Sequence, residues 1–193
     1  TGLTDLDEIL GGFHKSDLYV IGARPAMGKT ALLLHLAQAP DVPVGIISAE
    51  QPRNQMAKRL ISAVGKVHAN RLRNADLEDH EWPRITSAVS QLANKNIRLL
   101  DQPAPSIYDV IRQGRSWAYN GVKAIYVDYI QRIKAGNKTA PKHEQVGEVV
   151  MGLKELAREL DIPVIALAQV NREVEKRPDR RPRMSDLKNS GSI

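Results

Sequence analysis

Chemistry is written most densely between residues 22 and 30, where Gly22-Ala23-Arg24-Pro25-Ala26-Met27-Gly28-Lys29-Thr30 separates an apolar run from an amphipathic one. A glycine followed by lysine and a hydroxyl residue, placed between a strand and a helix, is the arrangement that cradles phosphate. Gly28 lets the chain turn so that successive backbone N–H groups face phosphate oxygens, and the helix starting near Lys29 adds its positive end. Lys29 would bridge the β and γ phosphates, and Thr30 would offer its hydroxyl to Mg²⁺. Arg24, Pro25, Ala26, Met27, Gly28, Lys29, Thr30 and Ala31 are the residues assigned to a nucleotide, taken to be ATP. One departure stands out. The usual spacing, G-x-x-x-x-G-K-[ST], requires glycine at position 23, where this chain has Ala23 and carries its glycine one residue earlier.

Two carboxylates and an amide complete the set. Asp128 closes an apolar run in Tyr126-Val127-Asp128 and would hold Mg²⁺ together with Thr30; the competing reading is a solvated acid at a strand end. The next residue is Tyr129, so a catalytic base must come from elsewhere. Glu50, in Ser48-Ala49-Glu50, is the best candidate to polarise the attacking water, provided that the second strand lies near the first. It could instead be an ordinary acid before the helix that follows Pro52. Gln169 ends the last apolar run and could contact the γ phosphate, or simply cap a strand.

These groups need a scaffold that brings them together. Short runs rich in Val and Ile at Leu18–Gly22, Val44–Ser48, Ile97–Leu100, Ala124–Asp128 and Pro163–Ala168 read as strands, apolar on both alternations. Helices are predicted at Lys29–Gln38, Arg53–Val64, Leu77–Asn94, Ser106–Asn120 and His143–Leu160. Ser106 and Asp109 have the spacing of a helix start, and Val146, Val149 or Val150, Leu153, Leu156 and Leu160 form one stripe. The alternation implies an α/β fold with a mostly parallel, twisted sheet, doubly wound or RecA-like, and helices on both faces; with the Gly28-Lys29-Thr30 turn it is expected to be a RecA-like P-loop NTPase. In such sheets ligands gather at the carboxyl ends of the strands, where all four candidate segments fall.

Composition narrows the class. With 193 residues and 42% hydrophobic content the chain suits one α/β domain, residues 1–193. It has no cysteine, which excludes disulfides and thiol chemistry, and no apolar run of membrane-spanning length. A cytoplasmic location and no membrane partner are the expectations. The net charge of +6 is concentrated late: Arg172 to Lys188 hold seven Lys or Arg against four Asp or Glu, with two prolines. The loop from Asn171 to Ile193, which holds that basic stretch, and the segment Lys134 to His143 would track the backbone of single-stranded DNA; a subunit contact is the alternative for the basic loop. Trp82, Trp117 and Phe13 are expected to pack in the core.

Taken jointly, Thr1-Gly2-Leu3-Thr4-Asp5-Leu6-Asp7, Gly22 to Thr30, Ser48-Ala49-Glu50-Gln51-Pro52, Val127-Asp128-Tyr129-Ile130-Gln131, Ala168-Gln169-Val170-Asn171-Arg172 and Arg181 to Ile193 resemble the C-terminal motor domain of DnaB-type replicative helicases. Ala23 is usual there; Gln51 stands where Met is more common. The resemblance implies ATP hydrolysis coupled to travel on single-stranded DNA, with Lys29, Glu50 and Gln169 catalytic and Thr30 and Asp128 at the metal. It further implies DNA contacts from Lys188, Asn189 and Gly191, a homohexamer, and primase and a helicase loader as candidate partners. Lys188 and Asn189 replace the family's Arg and Glu, so charge is kept but a bidentate fork is lost. By the same resemblance the N-terminal collar, the linker helix and the C-terminal end of the motor, with its basic finger, lie outside the chain. A recombinase-like DNA-dependent ATPase and a small-molecule phosphotransferase are the rival readings.

Overall fold

The computed structural model describes residues 1–171 together with 177, 179, 186 and 187. The Val- and Ile-rich runs form β1 (Leu18–Ala23), β2 (Val44–Ser48), β3 (Ile97–Asp101), β4 (Ala124–Asp128) and β5 (Val164–Gln169). Every pairing is parallel, in the order β1-β5-β4-β2-β3. Helices α1 (Thr4–Leu10), α2 (Lys29–Gln38), α3 (Arg53–Gly65), α4 (Ala69–Asn74), α5 (Trp82–Asn94), α6 (Ile107–Tyr119) and α7 (Lys142–Leu160) join and flank them.

Two apolar cores, one on each side, explain why the central strands are apolar on both alternations. On one side α6 and α7 bury Val110, Trp117, Val149, Leu153 and Leu156 against β4 and β5. On the other, α2 and α3 bury Leu33, Leu36, Met56 and Leu60. Each such side chain contributes about 1.5–3 kcal/mol when fully withdrawn from water. Trp117 lies over Gly45, where a Cβ would come within 2.2 Å of the ring. Phe13 packs on Tyr19, with ring centroids 4.8 Å apart.

Local signals set several boundaries. Ser106 and Asp109 form a reciprocal capping box at the start of α6, as their spacing predicts. The predicted helix over 77–94 begins instead at Trp82. Pro83 suits a first helical turn, and the Glu81 carboxylate is spent accepting from the Glu78 N–H, 2.9 Å away. Trp82, the first residue of α5, is 53% exposed rather than in the core. The stripe on α7 is buried at Val146, Val149, Leu153 and Leu156, with Val150 and Leu160 at its margin. Both α1 and α4 are too short to show a clear period in the sequence, and their residues were not assigned to helices.

The predicted loop from Lys134 is tethered where it begins. The Lys134 N–H donates to the Pro105 carbonyl at 2.8 Å, and its own carbonyl accepts from the Ile107 N–H at 2.9 Å. Gly136 and Asn137 then donate their N–H groups to the Glu148 carboxylate on α7, at 2.7 and 3.3 Å. No helix among the described residues is long and apolar enough to cross a membrane.

Candidate functional site

At the carboxyl end of β1 the chain turns tightly before α2. Gly28 has φ +83° and Ala26 has φ +64°, so the turn relies on two left-handed residues, one of which pays for a Cβ. The Met27 N–H closes the turn onto the Arg24 carbonyl at 3.3 Å. The first-turn N–H groups of α2 then have no partner within the helix and open on a cavity of about 490 Å³. Pro25, Ala26, Gly28, Lys29, Thr30 and Ala31 line it from this side. Met27 is exposed nearby. Arg24 points elsewhere: its guanidinium donates to the Val170 carbonyl at 3.1 Å, tying the turn to the exit of β5.

Gly22 serves packing rather than the turn. A Cβ there would lie 2.8 Å from Leu187 Cδ2 and 3.2 Å from Val170 Cγ2. The early glycine therefore lets Leu187 seat against the strand that feeds the phosphate turn. Around it, the Asn171 N–H donates to the Asp186 carbonyl at 2.7 Å, and Arg177 pairs with the Asp186 carboxylate. Lys188, Asn189 and Gly191 lie outside the described residues; Leu187, the residue before them, packs against Gly22 near the end of β1.

Across the cavity stand Glu50, Gln51, Arg59, Tyr129 and Gln169. Thr30 donates its hydroxyl to Asp128 Oδ2 at 2.7 Å, which brings α2 and β4 together. Lys29 Nζ lies 4.6 Å from the centroid of the Tyr129 ring, a cation–π distance. Burial, above all, holds the Asp128 carboxyl above the usual carboxylate range; the Glu50 charge adds to this, while the Thr30 hydroxyl, Lys29 and Arg59 oppose it. Burial likewise lowers Lys29, against the pull of Asp128 and Glu50. An anion beside Lys29 and a cation beside Asp128 would each relieve a charge that the fold has desolvated.

Glu50 reaches the cavity by a different route from the one the sequence suggested. β2 does not neighbour β1; β5 and β4 lie between them. What brings Glu50 in is β4: β2 pairs with it as far as Ser48 and Asp128, and the Ala49 N–H donates to the Asp128 carbonyl at 2.8 Å. The buried Ser48 hydroxyl donates to the Gln51 carbonyl at 2.7 Å and accepts from the Gln51 N–H at 3.1 Å, which fixes Glu50 at the tip of a turn. Gln51 Oε1 is buried with no partner among the described residues.

Arg59 escaped the sequence reading. Met56 and Leu60 set the inward face of α3 and leave Arg59 on its flank; only the strand order tells which flank meets the phosphate turn. The donor chemistry suits a small hard cation. Thr30 and Asp128 supply one hydroxyl and one carboxylate side by side, and no cluster of three metal-ligating side chains exists among the described residues. Magnesium is commonly held in that way, by few protein oxygens together with phosphates and water.

The pattern of the DnaB-like helicase C-terminal domain matches residues 1–193. The replicative DNA helicase DnaB of Geobacillus stearothermophilus is 39% identical over 199 residues, covering 100% of this chain and 44% of that protein. A DnaB-like replicative helicase, solved in a study of its interactions with primase, superposes with a TM-score of 0.94 at 32% identity, over 100% of this chain and 48% of its own. A further solved structure, that of an ATPase domain, also gives 0.94 at 32% identity, over 99% of this chain and 70% of its own. The chain thus spans less than half the length of the curated relative it matches.

Proposed function

Because the chain belongs to the DnaB-like helicase C-terminal domain family, we propose that it is the ATP-hydrolysing motor of a replicative DNA helicase. Its RecA-like α/β sheet is that of the family. The observation that carries the reading is the convergence of Lys29, Thr30, Glu50, Arg59 and Gln169 on one cavity, with the Thr30 hydroxyl bonded to Asp128.

In this proposal the N–H groups of residues 28–31 and the Lys29 ammonium hold the β and γ phosphates of ATP. Thr30 and Asp128 would hold Mg²⁺, which when bound neutralises charge on those phosphates. Glu50, fixed by the Ser48 turn, orients the attacking water and accepts its proton. Arg59 stabilises charge that develops on the far side of the γ phosphate. Gln169 senses the γ phosphate, and its loss is passed to the segments that follow β4 and β5. Those segments, with Lys188, Asn189 and Gly191, grip single-stranded DNA; in the whole protein, a homohexamer with primase and a loader as partners, stepping of six such units unwinds the duplex. The chain would be the single motor domain of that longer protein.

The test is Glu50→Gln in the full-length protein. ATP should still bind, while DNA-stimulated hydrolysis falls roughly 10²–10⁴-fold, the usual worth of a general base, and fork unwinding stops with it. Turnover equal to wild type would remove Glu50 from this role.

A further inference from the structure

β5 continues past the point where β4 can pair with it. The β4–β5 register runs from Ile125 opposite Val164 to Val127 opposite Ala166, whereas β5 extends to Gln169, still paired with Ala23 of β1 on its other side. In a parallel strand the N–H and C=O of one residue point the same way. The Val170 N–H goes to the Ala23 carbonyl, so both polar groups of Gln169 face the β4 side, where no strand remains. Gln131 fills that place. Its Nε2 donates to the Gln169 carbonyl at 3.2 Å, and its Oε1 accepts from the Gln169 N–H at 3.1 Å. A side-chain amide carries the same donor and acceptor as a peptide group, and here it acts as one missing residue of a neighbouring strand.

The other end of this clamp is equally fixed. Gln131 sits in a 3₁₀ turn, Ile130–Arg132, between the buried side chains of Ile130 and Ile133. Tyr129, which faces Lys29, immediately precedes the turn. Lys134, bonded to the cap of α6, follows it and opens the segment assigned to DNA. The backbone of Gln169 is therefore joined to the start of that segment through the Gln131 amide and the short stretch of chain, braced by its 3₁₀ turn, that runs from Gln131 to Lys134.

We propose that Gln131 is a positioning residue that couples the γ-phosphate sensor to the DNA segment after β4, by clamping the Gln169 backbone to the turn that launches that segment. The proposal rests on the reading of Gln169 as sensor. Gln131 is not among the residues that line the cavity. Its effect is on where Gln169 aims and on whether a displacement there is felt at Lys134.

The experiment compares Gln131→Ala, Gln131→Glu, Gln169→Ala and the Gln131→Ala/Gln169→Ala double variant in the full-length protein. Steady-state ATP hydrolysis is measured with and without single-stranded DNA, and thermal unfolding is recorded for each. Gln131→Ala should leave the KM for ATP within about twofold and reduce stimulation by DNA at least tenfold. Gln131→Glu keeps the acceptor but sets an oxygen against the Gln169 carbonyl; it should lose stimulation as fully as alanine while filling the same volume. In the Gln169→Ala background, Gln131→Ala should add less than a further twofold. If Gln169→Ala is damaging but the Gln131 variants keep wild-type stimulation, or if the two losses multiply, the clamp is refuted and the sensor survives. If Gln169→Ala is silent while Gln131→Ala and Gln131→Glu abolish stimulation, the sensor reading fails and the backbone clamp stands. Should alanine fail to fold, the Gln131→Glu result decides alone: retained stimulation overturns the proposal.

Discussion

Gly22→Ala offers a test of how the phosphate turn is joined to the chain that leads towards Lys188. The added Cβ would lie 2.8 Å from Leu187 Cδ2 and 3.2 Å from Val170 Cγ2. Relaxed carbon–carbon contacts fall at about 3.5–4.0 Å, so the leucine methyl must retreat by about 1 Å. Overpacking of this kind costs about 1–3 kcal/mol. Because the obstructing atom is the end of a rotatable side chain, the lower figure applies. For a domain of this size, about 1 kcal/mol lowers the melting temperature by about 2–4 °C. The decisive comparison is with Leu187→Ala, which removes the obstacle. On that background Gly22→Ala should cost only what the remaining 3.2 Å approach to Val170 requires, giving a coupling of up to about 1 kcal/mol between the two positions. Nucleotide affinity should hold, since the turn itself is untouched, while ATP-dependent DNA affinity falls. Strictly additive melting shifts, or a loss of nucleotide binding with DNA affinity retained, would refute the idea that Gly22 is kept small to seat Leu187.

Two further perturbations probe the cavity. Asp128→Asn should stabilise the nucleotide-free protein, by a margin that grows with pH. The buried carboxyl titrates above its unfolded value of about 3.9, so the stability it contributes is complete below that value and is lost as pH rises through the folded one. Melting curves from about pH 4 to 8 check this, and a pH-independent difference would contradict it. Arg59→Gln should lower kcat roughly ten- to a hundredfold, the worth of one charged hydrogen bond to the γ phosphate, with Arg59→Lys partly restoring it; steady-state kinetics decide, and an unchanged kcat would leave Arg59 a bystander.

How much of this could be read from the residues depended on range. The turn between β1 and α2 is local, and Gly28-Lys29-Thr30 between strand and helix made it legible, although Arg24, counted with it, bonds to the Val170 carbonyl instead. Asp128 and Gln169 were legible because each ends an apolar run, and strand ends are where a parallel sheet places its ligands. Glu50, picked out as the candidate base on the premise that β2 lies near β1, lines the cavity by another route: its approach depends on β4, and strand order is a non-local property that spacing does not encode. Arg59 and Gln131 were missed for the same reason. Each is an unremarkable polar residue beside a buried pair, Met56 with Leu60 and Ile130 with Ile133, and only the assembled sheet shows what it faces. The Trp82 expectation failed: the helix starts at Trp82 itself, and its indole is exposed rather than in the core.

The central claim is that the Lys29 turn binds a triphosphate which Glu50 then helps to hydrolyse. Calorimetric titration of magnesium–ATP into the full-length protein tests it most directly. Wild type and Glu50→Gln should take up nucleotide alike, and Lys29→Ala should bind roughly ten- to a hundredfold more weakly, as loss of a charged contact requires. Equal affinity in the Lys29→Ala protein, or no uptake by wild type, would contradict the account.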